Sequence, residues 1–134
     1  MNKVSELGIP LDKNCQLIEH HSSGVFAFEK APGVLSHPNN KLSKKSRSLL
    51  NAEYCKEEEC YEWQNSDGTK KKLSLCHRLD SPTSGIIIGS TDSKIAENLK
   101  KKFENREVEK TYLAITPHNP KVREGIWRDR LIEK

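Results

Sequence analysis

The stretch His77-Arg78-Leu79-Asp80-Ser81-Pro82-Thr83-Ser84-Gly85 lies between a segment of alternating apolar and polar residues and the apolar run 86–88. Residues i and i+2 of a strand point to the same face, so we expect Arg78 and Asp80 to project together where the strand ends. Taken alone, the pair indicates either a site of chemistry or an ordinary ion pair beside a turn, and the latter is common and weak. The remaining residues of the stretch favour the first interpretation.

The full pattern H-R-L-D-x-x-T-S-G resembles the signature of the RluA-type pseudouridine synthases, with seven specified positions in nine residues. Two less specific blocks stand in the same order as in that family. Residues 25–38 look like its opening strand, its K-P-x-G turn and a following H-P, although Ala31 separates Lys30 from Pro32. Residues 108–114 look like its K-x-Y-x-A strand. The resemblance therefore extends over about residues 24–116.

This resemblance implies that the chain isomerises uridine to pseudouridine within RNA, without a metal or other cofactor. Asp80 matches the catalytic aspartate of the family. An aspartate is ionised at neutral pH and can act as a nucleophile, or stabilise a cationic sugar as in glycoside cleavage. Attack on the sugar C1′, addition to uracil C6 and promotion of elimination remain alternative roles for this carboxylate.

The resemblance also assigns contacts with RNA, because a base in structured RNA must leave its stack to react. Arg78 matches the arginine that fills the vacated space, where a planar guanidinium can stack and donate hydrogen bonds. Tyr112 matches the tyrosine that packs on the uracil, and its hydroxyl could transfer a proton at C5. A core aromatic is the alternative for Tyr112. Lys110 and His77 are predicted RNA contacts, with a solvated lysine and a structural histidine as their alternatives.

Composition indicates a modestly basic domain and does not by itself identify its partner. The chain has 134 residues, a net charge of +4 and 31% charged residues, which suits one domain with a sizeable core. Basic residues cluster at 41–47, 70–72 and 100–102. Such clusters can bind a phosphate backbone by counterion release, although lysine runs also simply solubilise loops and helix ends.

The sequence shows no apolar run long enough to cross a bilayer and no secretory signal pattern, so we expect a cytoplasmic protein with no membrane partner. Its cysteines are expected to be reduced thiols. Cys55 and Cys60 lack the spacing of a zinc knuckle and a second ligand pair, so no metal site is predicted.

The pattern along the chain predicts an α+β fold, with a mixed, largely antiparallel sheet flanked by helices. Residues 1–23 are expected to form an N-terminal arm, and residues 24–134 a partial catalytic domain. Strands are predicted near 25–29, 73–77, 85–89 and 108–115, and helices over 43–55 and after an N-cap at Thr91 or Asp92. Residues 56–72 are predicted as either a hairpin around Asp67-Gly68 or a mobile loop.

The family's later T-G-R-x-H-Q-I-R segment has no counterpart here, so the sequence predicts a domain truncated at its C-terminus. A truncated product or fragment is favoured over a shortened protein that pairs with itself or with another chain. The alternatives to an active isomerase are a non-catalytic RNA-binding remnant and a protein-interaction domain. The RNA target, ribosomal or transfer, and the oligomeric state are left open.

Overall fold

A single antiparallel sheet forms the body of the structure, a computed structural model that describes residues 7–39, 47–117 and 125–126. Its six strands lie in the order β1-β2-β6-β5-β4-β3. Their bounds are β1 Gln16–His20, β2 Val25–Lys30, β3 Glu53–Cys55, β4 Cys60–Gln64, β5 Lys70–Leu75 and β6 Gly85–Ser90. The helix α1 spans Ser93–Glu104.

The pairing of β2 with β6 runs unbroken from Val25 opposite Ser90 to Lys30 opposite Gly85. Both strands are rich in β-branched and aromatic residues, which pack well on a pleated surface. Phe26 and Phe28 lie on one face of β2, two residues apart, and both are buried. The core gathers on this face, with Leu49, Leu50, Tyr61, Leu73 and Ile87 fully buried in it.

The predicted helix after β6 is confirmed, and its first residue follows an Asp92 N-cap whose side chain accepts a hydrogen bond from the Ile95 amide at 3.0 Å. Its apolar positions 95, 96, 99 and 103 recur at helical spacing, and Ala96 is buried. The helix packs against β5 and β6. It therefore sits beside the signature that connects those two strands.

The segment between β3 and β5 forms the predicted hairpin. Strands β4 and β5 are joined by a turn in which Asn65 accepts from the Gly68 amide at 2.9 Å and Asp67 accepts from the Thr69 amide at 2.8 Å. Gly68 has a φ of +85°, a conformation that glycine adopts without strain. The Asp-Gly pair thus identified the turn.

Two predicted elements are wrong where the structure describes them. Residues 47–55 form no helix; Leu50 pairs with Leu11 and Ser48 with Leu35 in isolated bridges, and 53–55 form β3. The earlier part of that helix, 43–46, lies outside the described residues. Residues 108–115 form no strand and are mostly exposed, since none of the described strands pairs with them.

The first part of the chain also differs from the expected arm. Within the predicted arm of residues 1–23, β1 pairs with β2, and Ile9 and Cys15 are buried in the core. The described residues 7–23 thus belong to the sheet and its core. The predicted α+β class and largely antiparallel sheet are confirmed, but all strand pairs in the described residues are antiparallel, so the sheet is not mixed there. Flanking of the sheet by more than one helix stays a prediction. In the described part of the chain, no helix is long and apolar enough to cross a membrane.

Candidate functional site

Asp80 lies on the loop between β5 and β6, with its side chain exposed. The residues on either side of it are both held by a second segment, residues 31–36, which follows β2 and which we call the proline turn. Leu79 is buried, and the Ser81 carbonyl is hydrogen-bonded. An exposed carboxylate on a backbone fixed at both neighbours is suited to chemistry, because catalytic groups need a held geometry.

The residue before Asp80 is fixed by the Ser36 side chain. The Ser36 hydroxyl accepts from the Leu79 amide at 2.9 Å and donates to the Leu79 carbonyl at 2.7 Å. Ser36 is buried, and its own carbonyl accepts from the Tyr61 hydroxyl at 2.7 Å. A chain of buried hydrogen bonds therefore connects β4 to the backbone beside Asp80.

Ser81, the residue after Asp80, is held by hydrogen bonds from β2 and from the proline turn. The Ser81 carbonyl accepts from the Gly33 amide at 2.7 Å and from the Lys30 ammonium at 3.2 Å. Gly33 has a φ of +78°, which lets the turn present its amide to the loop. Asp80 itself accepts at its carbonyl from the Thr83 amide at 3.0 Å, which closes the loop.

Arg78 does not share a strand face with Asp80, because β5 ends at Leu75. Among the described residues no ion pair joins the two, so the strand-based prediction is wrong and so is the simple ion-pair alternative. Arg78 is exposed and borders a groove of about 420 Å³. Two stacked ring pairs line this groove: His37 with Tyr54, centroids 4.8 Å apart, and His77 with Phe103, 4.3 Å apart.

His77 is engaged within the fold. Its Nε2 accepts from the Ile88 amide at 3.1 Å, which requires that nitrogen to be unprotonated. Burial lowers the pKa of His77 below its ordinary 6.5, and the nearby charge of Lys110 lowers it further. These contacts favour the structural-histidine interpretation of His77.

The lowered pKa of His77 predicts a loss of stability in mild acid. Below pH 6.5 the unfolded chain takes up a proton at His77 before the folded chain does, so unfolding becomes more favourable as the pH falls. His77→Gln keeps an acceptor for Ile88 without titrating. We expect the free energy of unfolding, measured in urea at pH 7 and pH 5, to fall more in the wild type than in His77→Gln. His21→Gln, at an exposed histidine, is the control; equal losses in wild type and His77→Gln would contradict the prediction.

Tyr112 and Lys110 lie on the irregular segment after α1. Tyr112 is 61% exposed, and within the described part of the chain its side chain makes no hydrogen bond or ring contact. Lys110 is exposed and close enough to His77 to affect its titration. The structure therefore places His77 and Arg78 at the groove and Lys110 near His77, and it leaves Tyr112 on an exposed segment.

Most lysines of the two described basic clusters form ion pairs. Lys72 contacts Glu58 at 2.6 Å and Glu62 at 2.8 Å, and Lys100 contacts Glu59 at 2.8 Å. Lys101 and Lys102 pair with Glu97 and Glu107. Such exposed pairs are weak, so a phosphate can compete for these lysines. The cluster at Lys41, Lys44 and Lys45 lies outside the described residues.

Among the described residues, one group of side chains that could bind a metal lies near the β3–β4 turn. Cys55, Glu58 and Glu62 place ligand atoms within 4.8 Å of one another. The Lys72 ammonium forms ion pairs with both carboxylates. The two carboxylates are therefore accounted for by an ion-pair network.

Sequence reasoning missed two residues of the site, Lys30 and Ser36. Lys30 is fully buried, and a signal for this existed: it follows Phe26 and Phe28 at two-residue spacing, which places it on the buried face of β2. Ser36 carries no comparable signal, because its role depends on Leu79, which is 43 residues away in the chain.

Comparison with known proteins gives a consistent result. A family model described as RNA pseudouridylate synthase matches residues 24–133. The chain is 39% identical over 62 residues to the human mitochondrial pseudouridylate synthase RPUSD4, covering 46% of this chain and 16% of that protein. It is 51% identical over 39 residues to tRNA pseudouridine synthase C of Pasteurella multocida, covering 29% and 16%. It is 32% identical over 99 residues to tRNA pseudouridine synthase C of Haemophilus ducreyi, covering 73% and 35%.

The chain thus spans about a sixth to a third of the length of these curated relatives. No solved structure matches it significantly.

Proposed function

The chain belongs to the RNA pseudouridylate synthase family, and from this premise we propose that it isomerises uridine to pseudouridine in structured RNA. The family match agrees with the predicted resemblance to RluA-type enzymes. In this reaction the N1–C1′ bond breaks, a C5–C1′ bond forms, the C5 hydrogen leaves as a proton and N1 gains one. No oxidant, reductant or second substrate is consumed.

The observation that carries the proposal is the position of Asp80. Its carboxylate is exposed, while Leu79 is tied to the proline turn by two buried hydrogen bonds with Ser36, and Ser81 by a backbone hydrogen bond from Gly33. A carboxylate so held can meet a flipped nucleotide at a fixed distance and angle, which is the main contribution a protein makes to such chemistry. We therefore assign the catalytic role to Asp80.

The other roles follow from the site's surroundings. Arg78, exposed beside the groove, occupies the space that the flipped uridine leaves in the RNA. Tyr112 stacks on the uracil, for which its exposed ring is available. Lys110 contacts phosphate, and His77 contributes a groove wall that supports the RNA. Transfer RNA is the first substrate to test, since two of the relatives are named for it.

Release of tritium from RNA labelled at uridine C5 tests the proposal, because the isomerisation must expel that hydrogen. Unmodified transfer and ribosomal RNA transcripts would be incubated with an excess of the chain, and released tritium counted in the water. We expect release from at least one RNA class. No release, together with RNA binding that weakens steeply as salt rises, would indicate an RNA-binding remnant instead. The absence of both tritium release and salt-sensitive RNA binding would favour a protein-interaction domain.

A further inference from the structure

Two cysteines face each other across the β3–β4 hairpin. Cys55 is the last residue of β3, Cys60 is the first residue of β4, and the two are direct partners in the strand register. Both are free thiols, and Cys55 is half-buried, so it can be reached from solvent. Directly opposite residues of an antiparallel pair point to the same face. The two sulfurs therefore lie on one side of the hairpin.

Two carboxylates lie beside these sulfurs. The Cys60 sulfur is 4.0 Å from Glu58 Oε2 and 4.0 Å from Glu62 Oε1. The Cys55 sulfur and an oxygen of each of the same carboxylates lie within 4.8 Å of one another. Sulfur and oxygen ligands of a tetrahedral zinc ion are about 3.6 Å apart, so these distances need to shorten by no more than about 1 Å. Rotation of side chains at the turn can supply that movement.

A cation already lies between the two carboxylates, namely the Lys72 ammonium. Its Nζ is 2.6 Å from Glu58 and 2.8 Å from Glu62. These ion pairs account for the carboxylates but not for the two cysteines. The Lys72 side chain is 53% exposed, and exposed ion pairs are weak, so the ammonium can move away into water. A divalent cation can therefore take its place.

The four donor groups favour zinc over other metals. Thiolates are soft ligands that Mg²⁺ and Ca²⁺ do not prefer, whereas carboxylates do not suit Cu⁺. Zn²⁺ binds both sulfur and oxygen in tetrahedral geometry, and the spacing Cys-x4-Cys is within the range of its paired ligands. The second ligand pair, which the sequence lacks in cysteine and histidine, is supplied here by glutamates.

We propose that Cys55, Glu58, Cys60 and Glu62 bind one Zn²⁺ ion at the β3–β4 turn. On binding, each thiol loses its proton to solvent, each sulfur forms a bond to the metal, and the Lys72 ammonium leaves the carboxylates. No electron is transferred. The ion would also offset the repulsion between Glu62 and Glu53, two like charges that lie directly opposite each other in the register.

The turn that the ion would fix is the part of the hairpin in greatest need of support. β3 has only three residues and is the last strand of the described sheet. Glu59 has a φ of +51°, which is unfavourable for a residue other than glycine. Glu59 also pairs with Lys100 at 2.8 Å, and both residues line the groove beside Arg78. Zinc would thus hold one wall of that groove.

Titration of the reduced, metal-free chain with Co²⁺ and then Zn²⁺ tests the proposal without any RNA. We expect one equivalent of Co²⁺ to give the visible absorption of tetrahedral coordination and a thiolate-to-cobalt charge-transfer band, and Zn²⁺ to remove both. Cys55→Ser and Cys60→Ser should each weaken zinc binding at least about 100-fold, since loss of an outer partner alone can cost that much. Cys15→Ala, at a cysteine buried in the core, is the control and should bind zinc as the wild type does.

Lys72→Met separates this site from chance binding by exposed thiols. The variant keeps all four ligands and removes the competing ammonium, so zinc affinity should rise about fivefold, the scale of two weak ion pairs. Zinc should also raise the urea midpoint of the wild type, because it binds the folded chain, and should not raise that of Cys55→Ser.

Three results would overturn the proposal. They are the absence of a tetrahedral cobalt spectrum, zinc affinity that survives both cysteine substitutions, and a Lys72→Met variant that binds zinc no more tightly than the wild type. A reduced chain that binds no metal but forms a Cys55–Cys60 disulfide with a small-molecule disulfide would indicate a redox pair instead. If the cysteine variants do not fold, the cobalt spectrum of the wild type and the affinity of Lys72→Met decide.

Discussion

Replacing Asp80 by asparagine is expected to abolish tritium release, lowering turnover by at least about a thousandfold, the scale of losing a catalytic nucleophile. The amide has nearly the shape of the carboxylate but no negative charge. The hydrogen bonds that hold this loop use the backbone of Leu79, Asp80 and Ser81 and the side chains of Ser36 and Lys30. The substitution therefore removes the reacting group and leaves its support in place.

RNA affinity should change by less than about twofold in Asp80→Asn, since phosphate contacts by lysine and arginine dominate affinity. The matched control is Asp67→Asn in the β4–β5 turn. Asp67 is also exposed, and it accepts from the Thr69 amide at 2.8 Å, a bond that an asparagine oxygen can keep. Turnover retained in Asp80→Asn would remove this residue from the catalytic role, while equal losses in both variants would point to a shared folding defect.

The central sheet and α1 were predictable because their signals are local. The apolar run after the signature gives β6, and Asp92 followed by apolar residues at helical spacing gives α1. The Asp67-Gly68 turn likewise identifies the β4–β5 hairpin. In each case a few neighbouring residues determine the outcome.

The errors arise where partners distant in the chain decide the structure. Leu49 and Leu50 suit a helix face, but the bridges of Leu50 to Leu11 and of Ser48 to Leu35 hold this stretch in an irregular conformation, in which both leucines are buried. The 108–115 segment has strand composition, but a strand also needs a neighbour with free hydrogen-bonding groups. The hydrogen bonds that hold the backbone beside Asp80 also join distant residues, because Ser36 and Lys30 are 43 and 51 residues away in the chain from the loop residues that they contact.

The second large effect is expected at Tyr61, which is fully buried beneath the proline turn. Its ring packs edge-on against Tyr54, with centroids 5.2 Å apart, and its hydroxyl donates to the Ser36 carbonyl at 2.7 Å. Burial raises the pKa of Tyr61 well above its ordinary value, so the hydroxyl stays a donor across the usable pH range. The residue thus contributes both core volume and one link in the support of Asp80.

Two substitutions separate these contributions. Tyr61→Ala leaves a cavity and should lower the free energy of unfolding by about 3–5 kcal/mol, measured by urea denaturation. Tyr61→Phe keeps the ring but leaves the Ser36 carbonyl without this donor, which should cost about 1–3 kcal/mol. Tyr112→Ala, at a tyrosine that is 61% exposed, should cost less than about 0.5 kcal/mol.

Substitution of the two tyrosines should affect stability and turnover differently. Tyr112→Ala should lose turnover while keeping its stability, because its exposed ring is proposed to stack on the uracil. Tyr61→Phe should be less stable than the wild type. Its turnover should fall only to the extent that the hydrogen bonds between Ser36 and Leu79 are lost. If Tyr61→Phe were as stable as the wild type and fully active, the hydrogen-bond chain from β4 to the Asp80 loop would not support the site, and Ser36 would have to hold Leu79 unaided.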